Sequence, residues 1–379
     1  MTMCTWRFIN SEMTVAENMA IDKVLLTSRS QGWAPDTLLF LEFTPCALVG
    51  YHQSVELEIE EDYCREHGIE IQRRVTGGGA IYMHEGTLGW AIYADKQSAT
   101  IPVDRNEMYA RMCESIVNGL SRLNVKATYR PKNDIEVNGR KISGTGGTEL
   151  NGALMYTGSL LIDFDVDTMI KCLKLPLKKL EDKQVQSFRQ RVTSLREEMD
   201  YVPDRKVIKK ALLDGFSAVF DITFVAGDLN DKEIALLEQE VSYFKSEEWI
   251  RGGRVPVQDN ALKISDYKAP GGLIRIALRL DQNRQRIKSV FITGDFFAYP
   301  ERSILDLEAC LRNSSSVEAD VFKNVHLFFQ TRNIEIPGVN ANHIGEALCQ
   351  AISGAFIISD SDEICIEMKK EKYEDECRS

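Results

Sequence analysis

The chain of 379 residues is long enough for two domains, and its 44% apolar share supplies a sizeable core for each. Its 57 acidic residues against 46 basic ones leave a net charge of −11, which excludes broad nucleic-acid binding, because that relies on clustered Lys and Arg. Nine cysteines without a Cys-x-x-Cys pair suit reduced thiols, and the lack of any long apolar block implies a cytoplasmic protein with no membrane span.

Val15, Met19, Val24 and Leu25 recur at helical spacing and predict an amphipathic helix over 14–26. Leu38 to Glu42 and Ala47 to Tyr51 read as neighbouring strands separated by Thr44-Pro45. Next comes the most informative stretch, Arg73-Arg74-Val75-Thr76-Gly77-Gly78-Gly79-Ala80-Ile81-Tyr82. Three glycines remove the side chains that keep a ligand off the backbone and permit φ > 0, so successive N–H groups can converge on an anion. The arginines add permanent charge and a planar fork of donors. A plain glycine hairpin with surface arginines is the bland alternative. Context favours binding: Ile69 and Ile71 alternate ahead of the loop, and the apolar run Leu88 to Tyr93 follows it. No Lys-Ser/Thr follows the glycines and no helix opens there, so the loop is neither a P-loop nor a dinucleotide-binding turn.

Asp104 as N-cap, with Met108, Met112, Ile116, Leu120 and Leu123 on one face, predicts a helix over 105–123. The block Asn133-Asp134-Ile135-Glu136-Val137-Asn138-Gly139-Arg140-Lys141-Ile142-Ser143-Gly144 reads as a hairpin turning at Asn138-Gly139, which sets Lys141 close to Asn133 and Asp134 across the ladder. Taken alone it also fits an exposed hairpin of alternating surface charge. Ser159 to Ile162 is another strand. The basic stretch Lys171 to Arg191, with Lys178, Lys179, Arg189 and Arg191, reads as a solvated face or a patch for an acidic partner.

Two helices are expected from Lys206 to Phe220 and from Asp231 to Phe244, and Ser246 to Asp259, with Gly252-Gly253 and Pro256, looks like a junction. The division is therefore a catalytic domain over 1–250 and an accessory domain over 259–379. In the latter, Leu273 to Leu280 and Ile287 to Ile292 read as paired strands, Ile304 to Leu311 and Ile344 to Ile352 as helices, and Ser359 to Ser379 as a charged tail.

Spacing sets several chemistries aside. His84-Glu85 has Leu88 where a zinc-protease motif needs its second histidine, and no Gly-x-Ser-x-Gly elbow occurs. What remains is an anion-binding glycine loop, arginines, and a lysine beside Asn and Asp on a hairpin. The combination suits activation of a carboxylate by ATP. Two anions must be held in line and the growing charge neutralised, and a lysine between them serves both needs. Magnesium, placed near Asp134, would screen the departing pyrophosphate.

These motifs resemble those of lipoate–protein ligases in the biotin/lipoate ligase superfamily. The likeness rests on Arg73-Arg74-x-Thr76-Gly-Gly-Gly-Ala80, on Asn133-Asp134-Ile with Gly139-Arg-Lys141-Ile-Ser-Gly144, and on Gly158-Ser-Leu-Leu161 with Asp165. Asn18-Met-Ala20, Gly50-x-x-Gln53 and Arg191-Val-Thr193 add to it, and Lys268-x-Pro270-Gly-Gly and Gly294-Asp-Phe-Phe297 are similar to the accessory domain of these ligases. The resemblance implies a mixed-sheet α/β catalytic domain with a smaller α/β accessory domain. It also implies an enzyme that makes lipoyl-AMP from lipoate and ATP and passes the acyl group to a lysine of a carrier domain. Lys141 would contact both the acyl carboxyl group and phosphate. Arg74, Gly77, Gly78, Gly79, Ala80, Ile81 and Tyr82 would line the ATP site, and Thr76, with Arg74 and Lys141, the lipoate. The implied acceptors are the lipoyl domain of a 2-oxoacid dehydrogenase, the glycine-cleavage carrier protein, or a lipoate-binding protein of sulfur metabolism.

The chain also departs from the pattern. Met83-His84 stands where the family has His-Asp, and Thr157-Gly158 where it has His-Gly. Three alternatives share the fold. An octanoyltransferase would need a nucleophilic cysteine, and Cys172, the nearest, lies among Met169, Leu173 and Leu175, while the loop Ala127 to Lys132 has none. Biotin ligase is disfavoured by the C-terminal unit. A non-catalytic lipoate-binding chaperone would leave Lys141 without a purpose.

Overall fold

Apolar residues occupy consecutive positions in the segment from Thr37 to Leu41, as expected of a strand covered on both sheet faces. The structure is a computed structural model that describes residues 4–98, 100–131, 133–174, 189–252 and 262–354. Its first unit, Met1–Val255 with Gly294–Ser303, contains β1 (Cys4–Ser11), β2 (Thr37–Leu41), β3 (Cys46–Val49), β4 (Glu70–Arg73), β5 (Ile81–Met83), β6 (Thr87–Asp95), β7 (Ala127–Arg130), β8 (Asp134–Val137), β9 (Arg140–Leu150), β10 (Ala153–Leu161) and β11 (Ile222–Ala226). Eight of them form one mixed sheet in the order β11-β1-β2-β6-β10-β9-β8-β7, and β4-β3-β5 form a second.

The large sheet is packed differently on its two faces. Leu38, Phe40, Trp90, Ile92, Ile142 and Tyr156 meet the helices Arg105–Arg122 and Arg205–Phe220. Those helices touch backbone to backbone, because a methyl group on Gly215 would stand 2.2 Å from the Ser115 carbonyl oxygen and 2.6 Å from the Gly119 nitrogen. Leu39, Leu41, Ala91, Tyr93 and Met155 face the opposite way, towards the helix Val15–Ser30. That helix is longer than the 14–26 expected, and it opens with a capping box between Thr14 and Glu17. Asp104 caps the Arg105–Arg122 helix through the Glu107 N–H.

Two expectations need correction. β2 and β3 are not neighbours: β2 lies between β1 and β6 in the large sheet, whereas β3 is central in the small one, parallel to β4 and antiparallel to β5. Likewise the strand returning from the glycine loop is β5, not the Leu88 to Tyr93 run, which sits in the large sheet as part of β6. All four β3 residues are buried, and an all-apolar strand carries no alternation to say which sheet it joins.

The second unit, Pro256–Thr293 with Ile304–Ser379, holds a three-stranded sheet in the order β12 (Lys263–Ala269), β13 (Gly272–Asp281) and β14 (Arg286–Gly294). The Ala341–Ser353 helix packs on β12 and β13. Sequence reading drew one boundary near 250–259, whereas residues 294–303 return to the first unit. Lys178, Lys179, half of the junction (253–259) and the charged tail lie outside the described residues. Among the described residues no helix is long and apolar enough to cross a membrane.

Candidate active site

A single row of residues crosses the large sheet by register. Leu41 pairs with Gly89, Gly89 with Ser159, Ser159 with Gly144, and Gly144 with Asp134. The row runs from an apolar side chain through three small residues to a carboxylate, so it leaves an open channel on the face opposite Trp90 and Tyr156. Asn138 and Gly139 take φ values of 51° and 76°, and the hairpin turns there as Asn-Gly predicts. Between Ile135 and Glu136 the register shifts, because Ile135 pairs with Ser143 and Glu136 with Lys141. This bulge matters. Residues three apart point to opposite faces of a regular strand, and the extra residue reverses the parity, bringing Lys141 over Gly144. A methyl group on Gly144 would stand 2.7 Å from Lys141 Nζ. The ammonium pairs with Asp134 Oδ1 at 2.7 Å. Its backbone is clamped by Arg191-Val192-Thr193, with Lys141 N–H donating to the Arg191 carbonyl and Thr193 N–H to the Lys141 carbonyl, both at 2.8 Å.

The glycine loop joins β4 to β5 above this row. Of its three glycines only Gly78 takes positive φ, at 93°. Gly50 is required by close approach, since its Cβ would stand 2.0 Å from the Gly78 carbonyl oxygen. The two arginines do different jobs. Arg73 is buried and donates to the carbonyls of Gly50, Tyr51, Gln53, Trp249 and Ile250, so it ties the loop's base to the Ser246–Gly252 segment and does not reach the cavity. Of the arginine pair that the sequence reading assigned to anion binding, only Arg74 lines the cavity, because Arg73's fixed fork is engaged by a cluster of converging carbonyls. Arg74 lines the cavity and donates to the carbonyls of Leu48, Gly77 and Gly79, holding the loop from within. Burial, with Arg73 beside it, pushes its pKa down to about 10, so it stays charged at neutral pH.

Loop and row enclose a cavity of about 340 Å³. Arg74, Thr76, Gly77, Gly78, Gly79, Ala80, Ile81, Tyr82 and Lys141 all line it, and the structure therefore brings these sequence-derived candidates together. Sequence reading missed its apolar end, built from Met19, Leu41, Phe43 and Leu48. It also missed Asp22, which reaches the cavity from the first helix and accepts the Tyr93 hydroxyl at 2.5 Å. Burial raises the Asp22 pKa to about 7 against the hydrogen bond from Tyr93. The pattern Gly89-Trp90 and Gly158-Ser159 in otherwise apolar strands was the signal available for the channel. Asp295 and Phe297, from the returning segment, complete the lining.

Asp134 stands beside the cavity with both oxygens paired, Oδ1 to Lys141 at 2.7 Å and Oδ2 to Arg130 at 2.6 Å. Among the described residues no cluster of three metal-ligating side chains occurs. The described residues do not form a protein cage for magnesium. His84 is structural: its ring lies between the Gly86 N–H, 3.1 Å from Nδ1, and the Asp165 N–H, 3.2 Å from Nε2, of which the one lone pair of a neutral imidazole accepts one, and it stacks on Tyr82 at 5.2 Å. Burial lowers its pKa, outweighing the neighbouring Asp165. Met83 is buried and Thr157 donates to the Trp90 carbonyl, so at the two positions where the resembled family carries histidine this site offers a thioether and a committed hydroxyl. Cys172 is buried and bonded to the Met169 carbonyl, outside the cavity lining.

Residues 14–217 match the lipoyl protein ligase A/B catalytic domain. The chain belongs to that family. Membership makes it an enzyme of lipoate or octanoate transfer to protein. Among similar lipoyl ligase and transferase proteins, the octanoyltransferase LipM of Clostridioides difficile is 29% identical over 268 residues, 65% of this chain and 98% of the relative. A solved bi-partite lipoate protein ligase of Thermoplasma acidophilum, described with its E2 lipoyl domain, is 28% identical with a TM-score of 0.61, covering 67% of this chain and 99% of its own. The structure of P. falciparum LipL1 in complex with lipoate shares the fold over 92% of this chain and 99% of its own, at 18% identity and a TM-score of 0.71.

Proposed function

We propose that this member of the lipoyl ligase family is an ATP-dependent lipoate–protein ligase. The observation that carries the reading is a cavity that offers one apolar end, one glycine cradle and a lysine between them, and whose lining contains no cysteine among the described residues. An acyl tail fits the end made by Met19, Leu41, Phe43 and Leu48, and its carboxylate then meets Lys141. In the first step a carboxylate oxygen attacks the α-phosphorus of ATP, a new P–O bond forms, and pyrophosphate leaves. Lys141 lies where it can exchange Asp134 for the two incoming anions and hold them in line. In the second, the neutral ε-amine of an acceptor lysine attacks the acyl carbon, an amide forms, AMP leaves and the amine proton goes to solvent. The acceptor is a lipoyl carrier domain, the class of partner described with the Thermoplasma ligase.

Octanoyl transfer through an enzyme thioester is the second reading, and the name of the Clostridioides difficile relative favours it. Cys113 is a buried thiol next to the lining residue Thr145, bonded to Tyr156 at 3.3 Å and 3.9 Å from the Thr145 hydroxyl. Burial pushes its pKa up to about 11, which is poor preparation for a nucleophile. Incubating the full chain with lipoate and ATP and measuring pyrophosphate decides between them. Release supports the ligase. No release, with a hydroxylamine-labile acyl-enzyme formed from octanoyl carrier protein, supports the transferase, and neither supports a lipoate-binding chaperone.

A further inference from the structure

Residues 294–303 lie far along the sequence from every motif of the site, yet they pack directly on it. The Gly294 N–H donates to the His52 carbonyl at 3.2 Å, and the Phe296 ring stacks on His52 with centroids 5.3 Å apart. The Phe296 carbonyl accepts from the Gly78 N–H at 3.4 Å. Further on, the Tyr299 hydroxyl donates to the Gly147 carbonyl at 2.9 Å, and Glu301 accepts from the Thr148 hydroxyl. The segment is thus anchored at both ends, and Phe297 is held between the anchors.

Its ring rests where two glycines leave space. A methyl group on Gly146 would stand 2.8 Å from Phe297 Cε1, and one on Gly78 would stand 3.1 Å from Phe297 Cζ. Gly146 is two residues along β9 from Gly144, so the ring lies about 6.8 Å along the strand from the place where the Lys141 ammonium sits. A ribose bridges that span between an α-phosphate and its base. Leu41, at the apolar end of the cavity, lies in a different direction from Lys141, across β10 and β6 on β2.

We infer that Phe297 supplies the surface on which the purine of the nucleotide rests, so that the segment 294–303 completes the nucleotide site with an aromatic ring placed at a base's distance from Lys141. The inference rests on the ligase reading. An aromatic ring can stack on a base without hydrogen bonds, and a rigid anchor on each side holds it in place beforehand.

Calorimetric titration of the full chain with ATP and, separately, with inorganic tripolyphosphate tests this. Phe297→Ala and Phe297→Leu should weaken ATP at least tenfold, Phe297→Tyr should retain it, and tripolyphosphate affinity should not change in any of them. Thermal transitions identify any variant that fails to fold, and Phe297→Leu, which keeps most of the apolar contact, decides the matter if the alanine variant is lost. Wild-type protein that binds no ATP would overturn the ligase reading together with this inference. Wild-type binding with unchanged or tighter binding by Phe297→Leu overturns the inference alone, and so does parallel loss of ATP and tripolyphosphate, which would make the ring a prop for the glycine loop.

Discussion

The two faces of the large sheet are built from the same strands and treated in opposite ways. On β6 and β10 the residues facing the helices include Trp90 and Tyr156, both fully buried, while their neighbours Gly89 and Thr157 face the cavity. One face is filled until it is solid, and the other is stripped until a ligand fits. Strand alternation makes this division possible, because adjacent residues answer to different constraints. Stability and function should therefore separate between positions one residue apart.

The largest expected effect is on the filled face. Trp90→Ala removes a buried ring packed on Tyr156 and Phe216 and should cost about 3–5 kcal/mol, read as a lower midpoint in urea or heat, with the KM for lipoate little changed in the protein that remains folded. Lys141→Ala on the open face should do the reverse: adenylate formation falls about 10²–10³-fold while circular dichroism and the thermal transition stay put. Near-normal turnover in that variant ends the assignment of Lys141. Gly89→Val should be milder. Its Cβ would lie 2.8 Å from Phe43 Cε2 and 2.9 Å from Leu41 Cβ, so the KM for lipoate rises roughly tenfold while nucleotide affinity is unaffected, and a change confined to Tm would show that this end is core. The smallest effect is one of pH. Asp22 keeps its proton up to about 7, against an ordinary 3.8, so the folded state holds a proton that the unfolded chain has released, and stability from this group is lost as pH rises through that window. Relative to wild type, Asp22→Asn should gain thermal stability from pH 5 to pH 8, and a constant difference would mean the carboxyl is ionised in the fold.

How much of this was legible varies with the distance over which each constraint acts. The hairpin at Asn138-Gly139 announced itself because its turn demands positive φ at both residues, and the helix after Asp104 because its cap is local. The glycine loop was readable as a place where backbone is exposed. Arg73 was not separable from Arg74, since their different tasks depend on carbonyls at Gly50 and Trp249, far away in the chain. The bulge that turns Lys141 to the channel face leaves no composition signal, and the return of residues 294–303 to the first unit is a tertiary fact that no local pattern encodes.

The glycine contact between the Arg105–Arg122 and Arg205–Phe220 helices has a consequence for how this enzyme can vary. With no side chain between the backbones at Gly119 and Gly215, there is no repacking by which a larger residue there could be absorbed. Any substitution must move a whole helix, and that helix backs Ile142 and Tyr156, whose strands carry Lys141 and Ser159 on their other side. Two positions that touch no ligand thereby set the height of the cavity floor. Random mutagenesis selected for activity should find Gly119 and Gly215 about as intolerant as the glycine loop itself, and changes at either should impair both half-reactions together.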